Sequence, residues 1–181
     1  LQPGIITLHM ALAFLLIAVL VTIIWLSRPD LIPVSVPKPD WSRLLVVSLI
    51  FFFCLFAEGL MGSQLREQTD ELAKAAEGLS REQWVDELAA TWVYKVHRSF
   101  SWTLLFASGL VFLWVSQIKN ARLVEPKFIL GLVVAMMLMG IVLGHIAVYP
   151  VVQLLHVGTT AALLGLTWHW ILRLVSADKT S

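Results

Sequence analysis

A chain of 181 residues with 59% hydrophobic residues and a mean hydropathy of +0.83 carries more apolar surface than a water-soluble domain of this size can bury, so its class is polytopic membrane protein. The net charge of +1 argues against a nucleic-acid partner, and the lone Cys54 excludes an internal disulfide and leaves the redox compartment open. The expected fold class is all-α, with five transmembrane helices, because a backbone in lipid must satisfy its own polar groups.

The chain opens at Leu1, already at the edge of an apolar run and without a charged n-region or a signal cleavage site, so it reads as a piece of something longer. Five apolar runs follow, about Ile5–Trp25, Leu44–Gly62, His97–Val115, Phe128–Ile146 and Val152–Leu174. Each approaches the roughly 20 residues that a bilayer requires. The Pro-rich segment Ser27–Arg43 holds Arg28, Lys38 and Arg43; the short segment before the fourth run holds Lys119, Arg122 and Lys127; the tail holds Arg173 and Lys179. The Val148-Tyr149-Pro150 turn has no Lys or Arg. The positive-inside rule then puts the tail in the cytoplasm and the N-terminus outside, although Arg66, Lys74, Arg81, Lys95 and Arg98 between the second and third runs dilute the signal.

Within that segment, Ser80-Arg81-Glu82-Gln83 has capping-box spacing. Leu79, Trp84 and Leu88 share one face that fits either the outer membrane surface or a solvated loop helix. Seven tryptophans, Trp25, Trp41, Trp92, Trp102, Trp114, Trp168 and Trp170, fall mostly near run ends, as an aromatic belt does. Met136, Met137 and Met139 suit lipid or core filling, and Gly140 and Gly144 have the spacing of close helix packing.

At 1.5 Å per residue, four histidines fall at one level on the outer side: His9, roughly 6 Å in from its helix end, His97, His145, and His156, again roughly 6 Å in. His169 lies 13 residues after His156, roughly 20 Å deeper. One histidine at a helix end is tolerated as an amphipathic residue, but four at one level on four helices point to a shared role. Imidazole is a common axial ligand of heme iron, and His97 and His156 are the best pair because their helices belong to one four-helix group, formed by the last four runs. Arg66 and Arg98 stand at the same level and are candidates for heme propionates, because guanidinium binds carboxylate in a bidentate way. Glu58, inside the second run, is either a proton-handling catalytic group or a buried, hydrogen-bonded carboxyl. Pro3 and Pro150 each precede a histidine by six positions, in Leu8-His9 and Leu155-His156, which suggests duplicated halves.

The stretches Leu8-His9-Met10, Gly62-Ser63-Gln64-Leu65-Arg66-Glu67, Val96-His97-Arg98-Ser99-Phe100-Ser101 and Leu155-His156 resemble the heme A synthase family. The resemblance covers essentially the whole chain and matches the fourth to eighth helices of an eight-helix protein built from two four-helix halves. It implies that residues 1–26 are the last helix of an otherwise absent N-terminal half, 27–43 a cytoplasmic linker, 44–175 the heme-binding half and 176–181 a cytoplasmic tail. The family oxidises a methyl group of heme O to the formyl group of heme A for terminal oxidases. The resemblance implies a heme b held by His97 and His156 in the C-terminal half, with His9 serving the substrate heme O. It further implies an inner (plasma) membrane location, lipid contact, an electron donor, heme O synthase and terminal oxidase as partners, and room for a homo-oligomer. The family's essential glutamate, the second histidine of its N-terminal half and the extracellular cysteine pair of some members have no match here, and His145 acquires no role. Two other readings compete: a diheme b-type cytochrome, disfavoured because Leu110 and Val111 stand where a second histidine would follow His97, and a non-catalytic heme-binding subunit of a respiratory complex.

Overall fold

The computed structural model describes residues 4–28, 35–76, 81–118, 124–176 and 178–180. Six helices follow one another: α1 (Ile5–Leu26), α2 (Lys38–Ala75), α3 (Arg81–Ala90), α4 (Trp92–Ser116), α5 (Glu125–His145) and α6 (Pro150–Val175). Two three-residue strands, β1 (Ser35–Pro37) and β2 (Asp178–Thr180), pair in parallel and tie the segment before α2 to the tail after α6. All helices except α3 are long and apolar enough to cross a membrane, and the chain is an all-helical, multi-pass membrane protein as its composition requires.

Helix starts follow local chemistry. Thr91 caps α4, its hydroxyl accepting from the Tyr94 amide at 3.3 Å. Pro126 and Pro150 sit in the first turns of α5 and α6, where a missing N–H costs nothing. Gly4, at φ 92°, precedes α1, and its amide donates to Glu67 Oε2 of α2 at 3.2 Å. The capping residue expected at Ser80, and Leu79 beside it, lie outside the described residues, but α3 does begin at Arg81.

The largest departure from expectation is α2. The apolar run ends near Gly62, yet the helix continues to Ala75, so its 38 residues measure about 57 Å, far more than a hydrocarbon core of about 30 Å. Arg66 therefore lies on a continuous helix, not on a loop beyond it. α4 likewise begins at Trp92, which places His97 in its second turn.

α2, α4, α5 and α6 form a ring in which each helix packs on its two neighbours, while the diagonal pairs α2 with α5 and α4 with α6 do not pack together. α1 lies outside the ring, in the seam between α2 and α6. Its outer face is bare apolar surface, including Leu8, Leu12, Leu16 and Ile24, and Leu154 on α6 is 72% exposed. Such bare apolar faces belong inside a membrane rather than in water.

Between lipid-facing helices, burial from water supplies no drive, so close packing and interhelical hydrogen bonds hold the ring. At the end away from Gly4, Trp170 is 1% exposed and donates to Ser48 Oγ at 2.8 Å, joining α6 to α2. Trp168 donates to Thr22 Oγ1 at 2.8 Å, joining α6 to α1, and Trp41 donates to the Leu174 carbonyl at 2.6 Å. These three tryptophans are structural fasteners, whereas Trp92 is exposed at a helix end, as a belt residue would be. Arg173, partly buried, pairs with the buried Glu125 and closes α6 onto α5 at the same end. His169 belongs to this end: its ring meets Trp25 edge-on at 5.5 Å and its Nδ1 is 3.9 Å from Glu125.

The α1 seam depends on Gly59. A Cβ there would stand 2.7 Å from Phe14 Cε2 and 3.3 Å from Thr160 Cγ2. The Phe14 ring, 2% exposed, fills the space the glycine leaves. Gly59→Ala is expected to destabilise the protein in detergent by about 1–3 kcal/mol, the usual range for overpacking, and adding Phe14→Leu is expected to recover part of that loss. Denaturant unfolding checks this, and an unchanged midpoint for Gly59→Ala would contradict the contact.

Candidate functional site

Near the Gly4 end, the ring is hollow. A cavity of about 370 Å³ lies among α2, α4, α5 and α6, with Met10 and Phe14 of α1 and Val85 and Leu88 of α3 completing its wall. That volume falls within the range typical of small-molecule and cofactor sites, roughly 300–1,000 Å³. Leu88, expected on a membrane-facing or solvated surface, is instead buried against this cavity. α3 and the long end of α2 thus cover the hollow end of the bundle.

The lining residues recur at helical spacing. On α2 they are Leu55, Glu58, Gly62, Arg66 and Thr69; on α4, Tyr94, His97, Ser101 and Leu104; on α6, Gln153, His156, Thr160 and Leu163. α5 adds Val133, Met136, Gly140 and Gly144. His97 and His156 therefore face one space from α4 and α6, the diagonal pair that do not pack together.

Each imidazole has a glycine beside it. A Cβ on Gly62 would lie 3.4 Å from His97 Cε1, and one on Gly140 would lie 3.8 Å from His156 Cε1. Gly140 and Gly144, expected to seat a neighbouring helix backbone, instead face side chains, His156 and the Tyr94 hydroxyl respectively. His156 Nδ1 is buried without a hydrogen-bond partner. His97 Nδ1 lies 3.1 Å from Glu58 Oε1, within ion-pair distance but not aligned as a hydrogen bond. Glu58, 7% exposed, accepts a hydrogen bond from Ser101 at that same oxygen, and its Oε2 has no hydrogen-bond partner. Ser101 also bonds the His97 carbonyl at 2.8 Å.

The mouth is cationic. Arg66 is partly exposed and pairs with Asp70 one turn on at 2.5 Å, a bond of small net value at a surface. Arg98 donates to Tyr94 Oη at 3.1 Å, and among the described residues no carboxylate pairs with it. His145 and Gln153 also line the mouth. His9 lies exposed on α1 and is not among the lining residues. Of the residues singled out from sequence, Glu58, Arg66, His97, Arg98 and His156 converge on one cavity, while His9 and His169 stand apart.

The donor set fits a heme. Among the described residues no group of three or more His, Cys, Asp or Glu side chains could hold a bare metal ion. Two imidazoles from opposite walls suit an iron that already carries four equatorial nitrogens, and a guanidinium at the mouth with no carboxylate partner among the described residues suits a propionate. Tyr94 and Gln153 carry no site signal of their own in the sequence, but each lies three positions before a histidine, on the same helix face. Gly62 and Ser101 lie in the stretches that carry the family resemblance, and the spacing of Gly140 signals backbone packing only.

A family model described as cytochrome oxidase assembly protein, COX15-CtaA, matches residues 1–168. No curated protein and no solved structure matches the chain.

Gly62→Leu and Gly140→Leu are expected to lower the heme-to-protein ratio severalfold with unchanged helix content, because each side chain would occupy the space beside an imidazole. Gly131→Leu, where a Cβ meets nothing within 4 Å, is the control. Equal heme loss in all three variants would contradict the assignment.

Proposed function

We propose that this chain, which belongs to the COX15-CtaA family of cytochrome oxidase assembly proteins, is the C-terminal heme-binding part of a heme A synthase. The observation that carries the reading is the placement of His97 and His156 on one cavity, from two helices that do not otherwise meet. The reaction is the oxidation of a methyl group of heme O to a formyl group, an oxidoreductase step in making heme A for terminal oxidases. Residues 44–175 would form the cofactor half and 27–43 the linker before it.

His97 and His156 would hold a heme b, which would supply an electron store. Arg98, with no carboxylate partner, would take one propionate, and Arg66 could exchange Asp70 for the other, since a surface pair of this kind is weak. Leu55, Leu104, Val133 and Leu163, about two turns deeper than the imidazoles or on facing helices at that depth, would keep the ring edge dry. α3 and the end of α2 would shield the mouth from water.

His9 would serve the substrate heme from the outer face of α1, apart from the cofactor cavity. Its separation from that cavity supports two distinct heme positions in the complete enzyme, one for cofactor and one for substrate. The wall away from the cavity, with Arg173 and the tail, would face the cytoplasm of the cell that carries this membrane, and the cavity the opposite side. An electron donor, heme O synthase and terminal oxidase are the partners such a reaction needs. His169 sits against Trp25 and Glu125 at the far end, which supports one heme in this bundle over two.

His97→Ala and His156→Ala are expected to abolish heme retention, whereas His169→Ala retains it in full. Pyridine hemochrome analysis of the purified variants checks this, and equal heme content in all three would defeat the reading. Conversion of added heme O to heme A by membranes containing the protein would separate an enzyme from an electron carrier.

A further inference from the structure

The two imidazoles on the cavity are held in different ways. His97 Nδ1 has a carboxylate oxygen 3.1 Å away, and His156 Nδ1 has no hydrogen-bond partner among the described residues. The carboxylate belongs to Glu58, which sits in the middle of a membrane-crossing helix with only 9% of its side chain exposed. An acidic group there is costly unless something requires it. It is anchored on one side only: Ser101 donates to Oε1, and Oε2 is buried without a hydrogen-bond partner. Ser101 is one turn after His97 on α4, and its single hydroxyl proton is shared between Glu58 Oε1 and the His97 carbonyl, so the three groups form one cluster across the α2–α4 contact.

We propose that Glu58 is a positioning residue for His97, acting through that imidazole rather than on a substrate. The proposal rests on the reading of His97 as an axial ligand. With a carboxylate oxygen 3.1 Å away, Nδ1 is the ring nitrogen placed to carry the proton of a neutral imidazole. The other nitrogen, Nε2, then presents its lone pair to the cavity. A small rotation of the ring aligns Nδ1–H with Oε1, and the hydrogen bond makes the imidazole a stronger donor to iron. His156 receives no such support, so the two axial ligands are inequivalent. A stronger donor on one side favours the oxidised iron and lowers the reduction potential of the bound heme. Glu58 is thereby assigned to tuning and orientation, in place of the proton-handling catalytic role that its burial first suggests.

The test uses the full chain, purified in detergent with its heme. Glu58→Gln keeps the size of the side chain and removes the charge. The expected result is retained heme, a midpoint potential shifted to more positive values, and a changed low-spin electron paramagnetic resonance spectrum. Glu58→Asp is expected to recover part of the shift. Ser101→Ala, which leaves the carboxylate but removes its anchor, is expected to shift the potential in the same direction by less. Bound heme with the parent potential and spectrum in Glu58→Gln would overturn the proposal. If Glu58→Gln loses its heme, Ser101→Ala decides: a positive shift supports the role and the parent potential overturns it. His97→Ala separates the two layers of the argument. Retained heme in that variant would sink the ligand assignment itself, whereas its loss together with an unmoved potential in Glu58→Gln would sink only the role of Glu58.

Discussion

A polar side chain inside a membrane bundle must find a partner or face a cavity that holds one, and this constraint governs the hollow end of the molecule. Among the polar groups that meet there are Glu58, Ser101, His97, Arg98, His156 and Gln153. Glu58, Ser101 and His97 satisfy one another only in part, and His156 Nδ1 has no hydrogen-bond partner. A bundle selected for stability alone would fill such a space with leucine, since a partly satisfied polar network is worse than an apolar core. The heme ligation proposed above would give a use to imidazoles that the described residues leave short of partners.

The rest of the bundle is arranged to tolerate that hollow. At the opposite end Leu44 of α2 and Leu164, Trp170, Ile171 and Leu174 of α6 are all 2% exposed or less. Tryptophan-to-serine and tryptophan-to-threonine hydrogen bonds cross between helices there, and the part-buried Arg173–Glu125 pair closes the end. Rigidity at one end allows a diagonal gap at the other, with glycines at 62 and 140 rather than larger residues beside the two imidazoles. α1 is fastened along the outside through Phe14 in the space beside Gly59 and through Thr22 to Trp168, which leaves its outer face, with His9, turned away from the ring.

Much of this was legible in the sequence, for reasons particular to each element. Five apolar runs announce five membrane helices, because lipid tolerates almost nothing else. His97 and His156 stand out because ionisable residues in such runs are costly. The length of α2 was hidden: beyond Gly62 the apolar signal stops, and only helix-forming residues such as Glu71, Leu72, Ala73 and Lys74 carry the helix to Ala75. The tryptophans near run ends fit a belt by position, yet Trp168 and Trp170, two residues apart, point to different partners, α1 and the core, which spacing alone does not separate. Gly140 and Gly144 share a spacing used for backbone contact, but the ring arrangement sets side chains of α6 and α4 before them. The Glu58–His97 contact joins residues 39 positions apart and depends on the pairing of α2 with α4, so no local pattern could display it.

The account stands on a single iron shared across the bundle diagonal. Electron paramagnetic resonance of the oxidised, heme-loaded chain, read with its near-infrared magnetic circular dichroism, reports the axial ligands directly. The account predicts one low-spin ferric heme per chain with the charge-transfer band of bis-imidazole ligation. A high-spin, five-coordinate signal, or a low-spin signal from a ligand other than imidazole, would contradict it.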